Sequence, residues 1–352
     1  MTLMKNALIA LSALFALLAV PAAAQADFGI ESGSFQVTAA ADDSGITVES
    51  ASSHPYSWTV SFALNADSNG HSLGGELRDV LIDLPPGMIG DPFALPRCTR
   101  QQFEGKTVPT CPPQSQVGVL TAKIKESQAG FIAPVGGPIY NIVPPPGTAA
   151  QLGFSGLGLL ALQNASLLTE TPLAGERYGL RITTSGIPLE TTQIKATIWG
   201  VPGDPSHDHE RGPNAGANGE ESPGAAPPLA FLTLPAQCSV PPVYKVSVDS
   251  KSDPGNFATA ETHVLGSGGE AAPLTGCDQV PFSPRIAAQA TSRSATSPSG
   301  LDFELNLPNE GLTSPYGIAE TEPEKVEVAL PEGVTANPSF AEGISTCSEA
   351  RY

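Results

Sequence analysis

The residues best suited to chemistry crowd into one stretch, "WGVPGDPSHDHERG", where Asp204, His207, Asp208, His209 and Glu210 fall within seven positions of a proline-bounded loop. Imidazole nitrogens and carboxylate oxygens are good ligands for zinc and other transition metals, and residues one and two apart on a loop can converge on one ion. Asp204, His207, Asp208 and His209 are therefore the candidate ligands of a divalent metal. No His-Glu-x-x-His spacing fixes them to one helical face, and polar loops also collect such residues without function. Other chemistries leave less trace. "GLGLLA" at 156–161 matches Gly-x-Gly-x-x-Ala, but no helical stripe follows it, which makes it a glycine-broken β segment rather than a dinucleotide turn. Around Ser155 the chain reads Gly-Phe-Ser-Gly-Leu, without the second glycine of a serine-hydrolase elbow. His54, His71 and His263 have no acidic partner in a local motif, and Trp58 and Trp199 sit in apolar strand patterns that read as core. No catalytic residue and no cofactor is assigned.

The elements that must position these residues are short strands. "YSWTVSFALN" alternates, with Trp58, Val60, Phe62 and Leu64 on one face, the period-two signature of a half-buried strand. "RDVLIDLP", "SQVGVLTAKI", "GPIYNIVPPP", "YGLRITT", "TQIKATIWG", "LAFLTLP" and "YKVSVDS" behave similarly, and Gly, Pro, Asn or Asp bounds nearly all of them. With 35 Pro, 36 Gly and 40% hydrophobic residues, the composition favours strands joined by punctuated loops over long helices. The expected class is all-β. A polar stretch at 200–228 is too long for an ordinary hairpin connection. After it comes a second β pattern, "RIAAQA", "GLDFELNLP" and "EKVEVALPEG". These features divide the chain into 1–26, 27–50 (a polar leader), 51–280 and 281–352.

Residues 1–26 read as a secretory signal peptide: Lys5, an apolar run over 7–20, then Pro21 and small residues. The run is shorter than the roughly 20 residues that span a bilayer, so the expected product is exported and is not a membrane span after cleavage. Without Lys5 the chain keeps 16 basic against 35 acidic residues, a net −19. Nucleic acid is excluded as a partner by that balance, because binding to phosphates needs clustered Lys and Arg.

"LPPGMIGDP" at 84–92 aligns without a gap to "LPEGVTANP" at 330–338, and the likeness extends upstream ("DVLIDLP", "KVEVALP") and downstream to Cys98 and Cys347. An offset of 246 residues is far longer than a solenoid period, so a whole module is repeated, and the second copy reads as cut short. An exported chain with Cys98, Cys111, Cys238, Cys277 and Cys347 should form disulfides, and the simplest local pairing joins Cys98 to Cys111 and Cys238 to Cys277. Cys347, the counterpart of Cys98, is then left unpaired. The rival reading, a metal site, needs a Cys-x-x-Cys spacing that is absent.

Several strings, among them "DLPPGMIGDPFALPRCTRQQF", "WGVPGDPSHDHERG" and "TGCDQVPFSP", resemble those of large secreted or surface repeat proteins of actinobacteria, described as fibronectin type III-like. The resemblance covers roughly residues 51–352. It implies tandem β-sandwich modules of immunoglobulin or fibronectin type, disulfides at the matching cysteines and a longer full-length protein, and it brings no established activity. His207 and Asp208 match the family's string, whereas His209 departs from it, which puts a three-ligand metal site in doubt. The expected function is that of an extracellular or cell-surface structural or adhesive protein without catalysis, facing the cell envelope, surface glycans or other proteins. The alternative is a secreted metal-dependent hydrolase, or a carbohydrate-active or carbohydrate-binding protein, that uses the 204–210 loop.

Overall fold

The structure, a computed structural model, describes residues 27–104, 109–125, 131–146, 148–157, 164–170, 179–212, 226–266, 268–295, 297–308, 310–321, 323, 325–330 and 332–334, with backbone alone for 156–157 and 164–170. Residues 1–26, expected as a signal peptide, residues 213–225 of the long polar stretch, and the second repeat copy beyond residue 334 with Cys347 lie outside the described residues. The strands run in chain order as β1 (Gln36–Ala40), β2 (Ser57–Ala63), β3 (Leu77–Asp83), β4 (Ile89–Gly90), β5 (Gln116–Lys125), β6 (Ile132–Ile142), β7 (Gln151–Leu157) and β8 (Asn164–Glu170). They continue as β9 (Arg181–Thr184), β10 (Thr191–Trp199), β11 (Leu232–Thr233), β12 (Val243–Ser250), β13 (Ala258–His263), β14 (Arg285–Ala290) and β15 (Leu301–Asn306). Two short helices, α1 (Arg100–Glu104) and α2 (Glu310–Thr313), complete an all-β architecture, and no described helix is long and apolar enough to cross a membrane.

Eleven strands form one antiparallel sheet in the order β1-β2-β10-β5-β6-β7-β8-β9-β3-β12-β13. Its two edges meet: Val37 of β1 bridges Val264, the residue after β13, so the sheet curls into a barrel-like ring. The registers place one face of every neighbouring pair inward. Ile194, Ala196 and Ile198 of β10 lie opposite Phe62, Val60 and Trp58 of β2, while Ile82 and Val80 of β3 lie opposite Ile182 and Thr184 of β9. The outward positions, such as Thr59, Ser61, Lys195, Thr197, Asp79 and Lys245, are polar, so alternation along each strand separates core from solvent.

The leader 27–50, expected as a polar edge outside the core, instead supplies β1, whose Val37 and Ala39 are buried together with Phe35. It is an edge strand whose inward side chains are small, so its sequence is weakly apolar although its place in the sheet is fixed. "GLGLLA" begins inside β7, which pairs antiparallel with β8; this is a strand pair, as expected, although residues 158–163 lie outside the described ones.

One end of the ring is plugged by the proline-rich exit of β3. Pro85 O accepts from Met88 N at 3.1 Å, and Gly87 at the third turn position has φ of +84°, the type II geometry that glycine adopts freely. The turn drops Met88 (1% exposed) into the core beside Tyr244, and β4 then pairs with β11 across the same end. Gly333, the counterpart of Gly87 in the second copy, has φ of +86°. Gly87→Ala meets nothing closer than 3.6 Å, so its cost is the left-handed backbone alone. We expect a loss of about 1 kcal/mol in urea unfolding, and a loss near zero would show that the turn relaxes to another type.

By contact density the chain divides into two compact units, one running to Thr321 and one from Glu322. In the first unit, β14 and β15 pair only with each other, and α2 with the residues after it binds back: His54 Nε2 lies 2.9 Å from Gly311 O, and Ala319 N donates to Ser52 O at 2.9 Å. In the second, residues 325–330 of "EKVEVALP", expected as a strand, have irregular backbone with Val326, Val328 and Leu330 about half exposed. A strand needs a hydrogen-bonded neighbour, and none of the described residues supplies one.

Candidate functional site

The 200–212 loop is built from close backbone approaches. A Cβ on Gly200 would stand 1.7 Å from Pro55 O and one on Gly203 would stand 2.2 Å from Pro227 O, so both glycines are required by space. Asp204 caps a 3-10 turn over Pro205–Glu210, accepting from Ser206 N at 2.9 Å and Ser206 Oγ at 2.7 Å. Burial acts to raise its carboxyl pKa, but the two Ser206 hydrogen bonds, with His207 and Arg211 nearby, bring the net shift below the usual value.

The turn drives His207 inward. Its ring lies between Tyr56, 4.3 Å away between centroids, and Trp199, 4.7 Å away and tilted by 15°. The side chain is 1% exposed, and neither ring nitrogen has a hydrogen-bond partner. Burial is the main cause of a pKa lowered to about 4; Asp204 and the nearby backbone of Tyr56 oppose it, and Arg211 and His209 push the same way as burial. The ring is thus held neutral. Arg211, also 1% exposed, donates from Nε to Asp208 Oδ1 at 2.7 Å and from Nη2 to Pro202 O, and its guanidinium lies 5.1 Å from the centre of the Trp199 ring. Trp199 Nε1 donates to Glu210 Oε2 at 3.2 Å, and Gln116 of β5 ties the end of the loop to the sheet through Glu210 O and Gly212 N.

The structure therefore brings the candidates together in sequence but turns them to different neighbours. Asp204 faces Ser206, Asp208 faces Arg211, His207 lies between two rings and His209 is exposed. Among the described residues no group of three His, Cys, Asp or Glu side chains converges on a point where an ion could sit. Tyr56 and Arg211, which complete the stack, carried no signal of their own in the sequence.

Sequence reasoning also missed a second cluster. His71 Nδ1 is 3.1 Å from Glu190 Oε1, Ser72 N donates to the same oxygen at 3.0 Å, and Lys125 Nζ is 3.5 Å from Oε2. Glu190 is 7% exposed; burial acts to raise its pKa, and Ser72, His71 and Lys125 together bring it below the usual value. The partners lie 119 residues apart, so no local motif could reveal them. The cluster pins the loop after β2 to the start of β10. Both local disulfides are formed, Cys98–Cys111 and Cys238–Cys277, which suits an extracellular or otherwise oxidising environment. Comparison of the chain with protein-family models, with curated proteins and with solved structures finds no match.

Proposed function

We propose that the chain is an exported, surface-associated structural or adhesive protein of the repeat type it resembles, without catalysis, in which β modules follow one another along the chain. The observation that carries this reading is the fate of the 204–210 loop: the residue types that suit a metal or an acid–base pair are taken up in capping, ion pairing and stacking. A loop so braced makes a rigid end surface, and rigid loops at the ends of a β body suit adhesion to envelope components, glycans or other proteins.

The finer reading, a further β module beginning near residue 281, has its own support. In β14–β15 the register sets Ile286, Ala288 and Ala290 opposite Leu305, Phe303 and Leu301, with charged and amide side chains on the other face. An amphipathic two-stranded ribbon is marginal by itself and suits the opening hairpin of a further module.

The test is expression of the signal-bearing chain in a host with an export pathway. The expected product lies outside the cytoplasm, begins near residue 25–27 and carries both bridges. It turns over no ester or glycoside in a chromogenic panel. Saturable turnover that disappears in His207→Ala would overturn the reading in favour of the metal-dependent hydrolase.

A further inference from the structure

The hairpin β14–β15 repeats the start of the ring in more than its pattern. "FELN" at 303–306 matches "FALN" at 62–65, where β2 ends, and "QA" at 289–290 matches "QV" at 36–37 in β1. The pairings agree: Gln289 lies opposite Asp302 and Ala290 opposite Leu301, as Gln36 lies opposite Ser61 and Val37 opposite Val60. The backbone phase agrees as well. Along an antiparallel strand the N–H and C=O groups of successive residues turn to opposite sides. Thr291 N donates to Gly300 O at 2.9 Å, so Asp302 and Glu304 turn their backbone groups toward β14, and Leu301, Phe303 and Leu305 turn theirs to the outer edge of β15. In the ring, Leu64 N donates to Thr192 O at 2.9 Å, so Val60, Phe62 and Leu64, the counterparts of those three, address β10. The two hairpins differ in occupancy. The edge of β2 is filled by β10, whereas the edge of β15 has no pairing partner among the described residues, and Leu301 and Phe303 are exposed.

We propose that the outer edge of β15 is a docking site for one extended strand of another protein. The strand pairs antiparallel with Leu301–Asn306 and has the chemistry of β10, with β-branched or small apolar residues on one side and a lysine on the other. In the ring, β10 sets Ile194 against Phe62, Ala196 against Val60 and Lys195 against Ser61. Transferred to β15, the same register sets an isoleucine against Phe303, an alanine against Leu301 and a lysine against Asp302, with Glu304 next along the same face. That acidic face selects the occupant. A second copy of the chain, paired edge to edge through β15, would bring Asp302 and Glu304 against their own kind in a molecule of net charge −18, and like charges across a strand pair destabilise it. In strand addition the main-chain hydrogen bonds supply affinity and the alternate side chains supply selectivity. The inference rests on the reading that a further β module opens near residue 281, and it gives the first hairpin of that module a partner.

The probe is the acetylated and amidated peptide Thr-Thr-Gln-Ile-Lys-Ala-Thr-Ile-Trp, the sequence of β10, added to the disulfide-bonded chain. Residue-resolved hydrogen exchange should show saturable slowing at the amides of Leu301, Phe303 and Leu305. Exchanging the peptide's lysine for glutamate should weaken binding about threefold or more, and Asp302→Lys should reverse that preference. Phe303→Pro removes one outward donor and should abolish binding, whereas Ala288→Pro removes a donor from the other edge of the hairpin and should spare it. If either proline unfolds the hairpin, the reversal by Asp302→Lys still decides. A scrambled peptide that binds as well, slowing at residues 57–63 in place of 301–306, or an unchanged preference in Asp302→Lys would overturn the inference. So would slowing of the three amides that grows with protein concentration alone, which would make a second copy the occupant. The amides of Asp302 and Glu304 separate this inference from the reading beneath it. If they exchange slowly but the outward three never respond to peptide, the docking site alone is refuted; if they exchange fast, the hairpin and the module reading fall with it.

Discussion

Replacing Cys238 and Cys277 together with alanine lowers the unfolding free energy by about 4 kcal/mol, against about 3 kcal/mol for Cys98 with Cys111, because the chain-entropy contribution grows with the loop closed. The loops are 39 and 13 residues. The larger bridge also stands where the ring closes. Residues between β13 and Cys277 run alongside the segment after β1: Thr275 N donates to Glu49 O at 2.7 Å and Ala51 N donates to Thr275 O at 2.9 Å. Cys277 itself is tied to the plugged end through Cys238, close to the Pro235 backbone that carries Ser52. Removing the bridge therefore frees the unfolded chain and also slackens the seam between β1 and β13, where only short edge strands meet. In thermal unfolding the double variant should melt on the order of 10 °C lower, given about 2–4 °C per kcal/mol for a chain of this size. Equal losses for the two bridges would refute the ranking by loop length. A loss confined to the 98–111 pair would place the weak point of the fold at the Phe103, Tyr140 and Ile142 cluster that Cys98 joins.

The seam also shows what the sequence could and could not reveal. β2 and β12 were legible because each buries a full-size apolar side chain at every second position, as with Trp58, Val60 and Phe62 or Tyr244, Val246 and Val248, and β3, β5 and β10 because apolar residues recur on one face. β1 and β13 were not, and for one reason: they are the edges of the sheet, and their inward positions hold Val37, Ala39, Ala258 and Ala260, too small to stand out against threonine and glutamate. Without its edges the sheet could not be seen to close. The converse error is "EKVEVALP", where alternation is clear and no described neighbour pairs with it, since period-two patterning states a preference for one face and not the presence of a partner. The 204–210 loop failed differently. Its residue types suggested ligands, whereas its fate was set by Tyr56 and Gln116, 151 and 94 residues distant from His207 and Glu210 respectively in the chain. The cysteines were the easiest case, because export chemistry and proximity in sequence agree with the bonds formed.

Acid should destabilise the protein through His207, and His207→Phe should remove that sensitivity. The ring is buried between Tyr56 and Trp199 with both nitrogens unpartnered, and its pKa falls from an ordinary 6.5 to about 4. A histidine whose folded pKa is depressed takes up its proton more readily in the unfolded chain. Stability is therefore complete above about pH 6.5, declines as pH falls toward 4, and changes no further below that from this group. The shift corresponds to about 3 kcal/mol in full, of which about 2 kcal/mol is lost between pH 7 and pH 5. Protonation would put a charge against Arg211 and His209, opposed by Asp204, already committed to Ser206, and by the backbone of Tyr56. Between pH 7 and pH 5 the shifted carboxylates Asp204 and Glu190 interfere little: both folded pKa values are lowered, so the stability each contributes is present above its ordinary 3.8 or 4.5 and is lost at lower pH. Phenylalanine keeps the three-ring stack and leaves no unpaired polar atom in it, so the variant should match or exceed the parent at pH 7 and exceed it by about 2 kcal/mol or more at pH 5. Urea midpoints at the two pH values decide the matter. Parallel slopes for parent and variant would mean that His207 is not the titrating group, and a variant weakened at both values would mean that its nitrogens are bonded in solution.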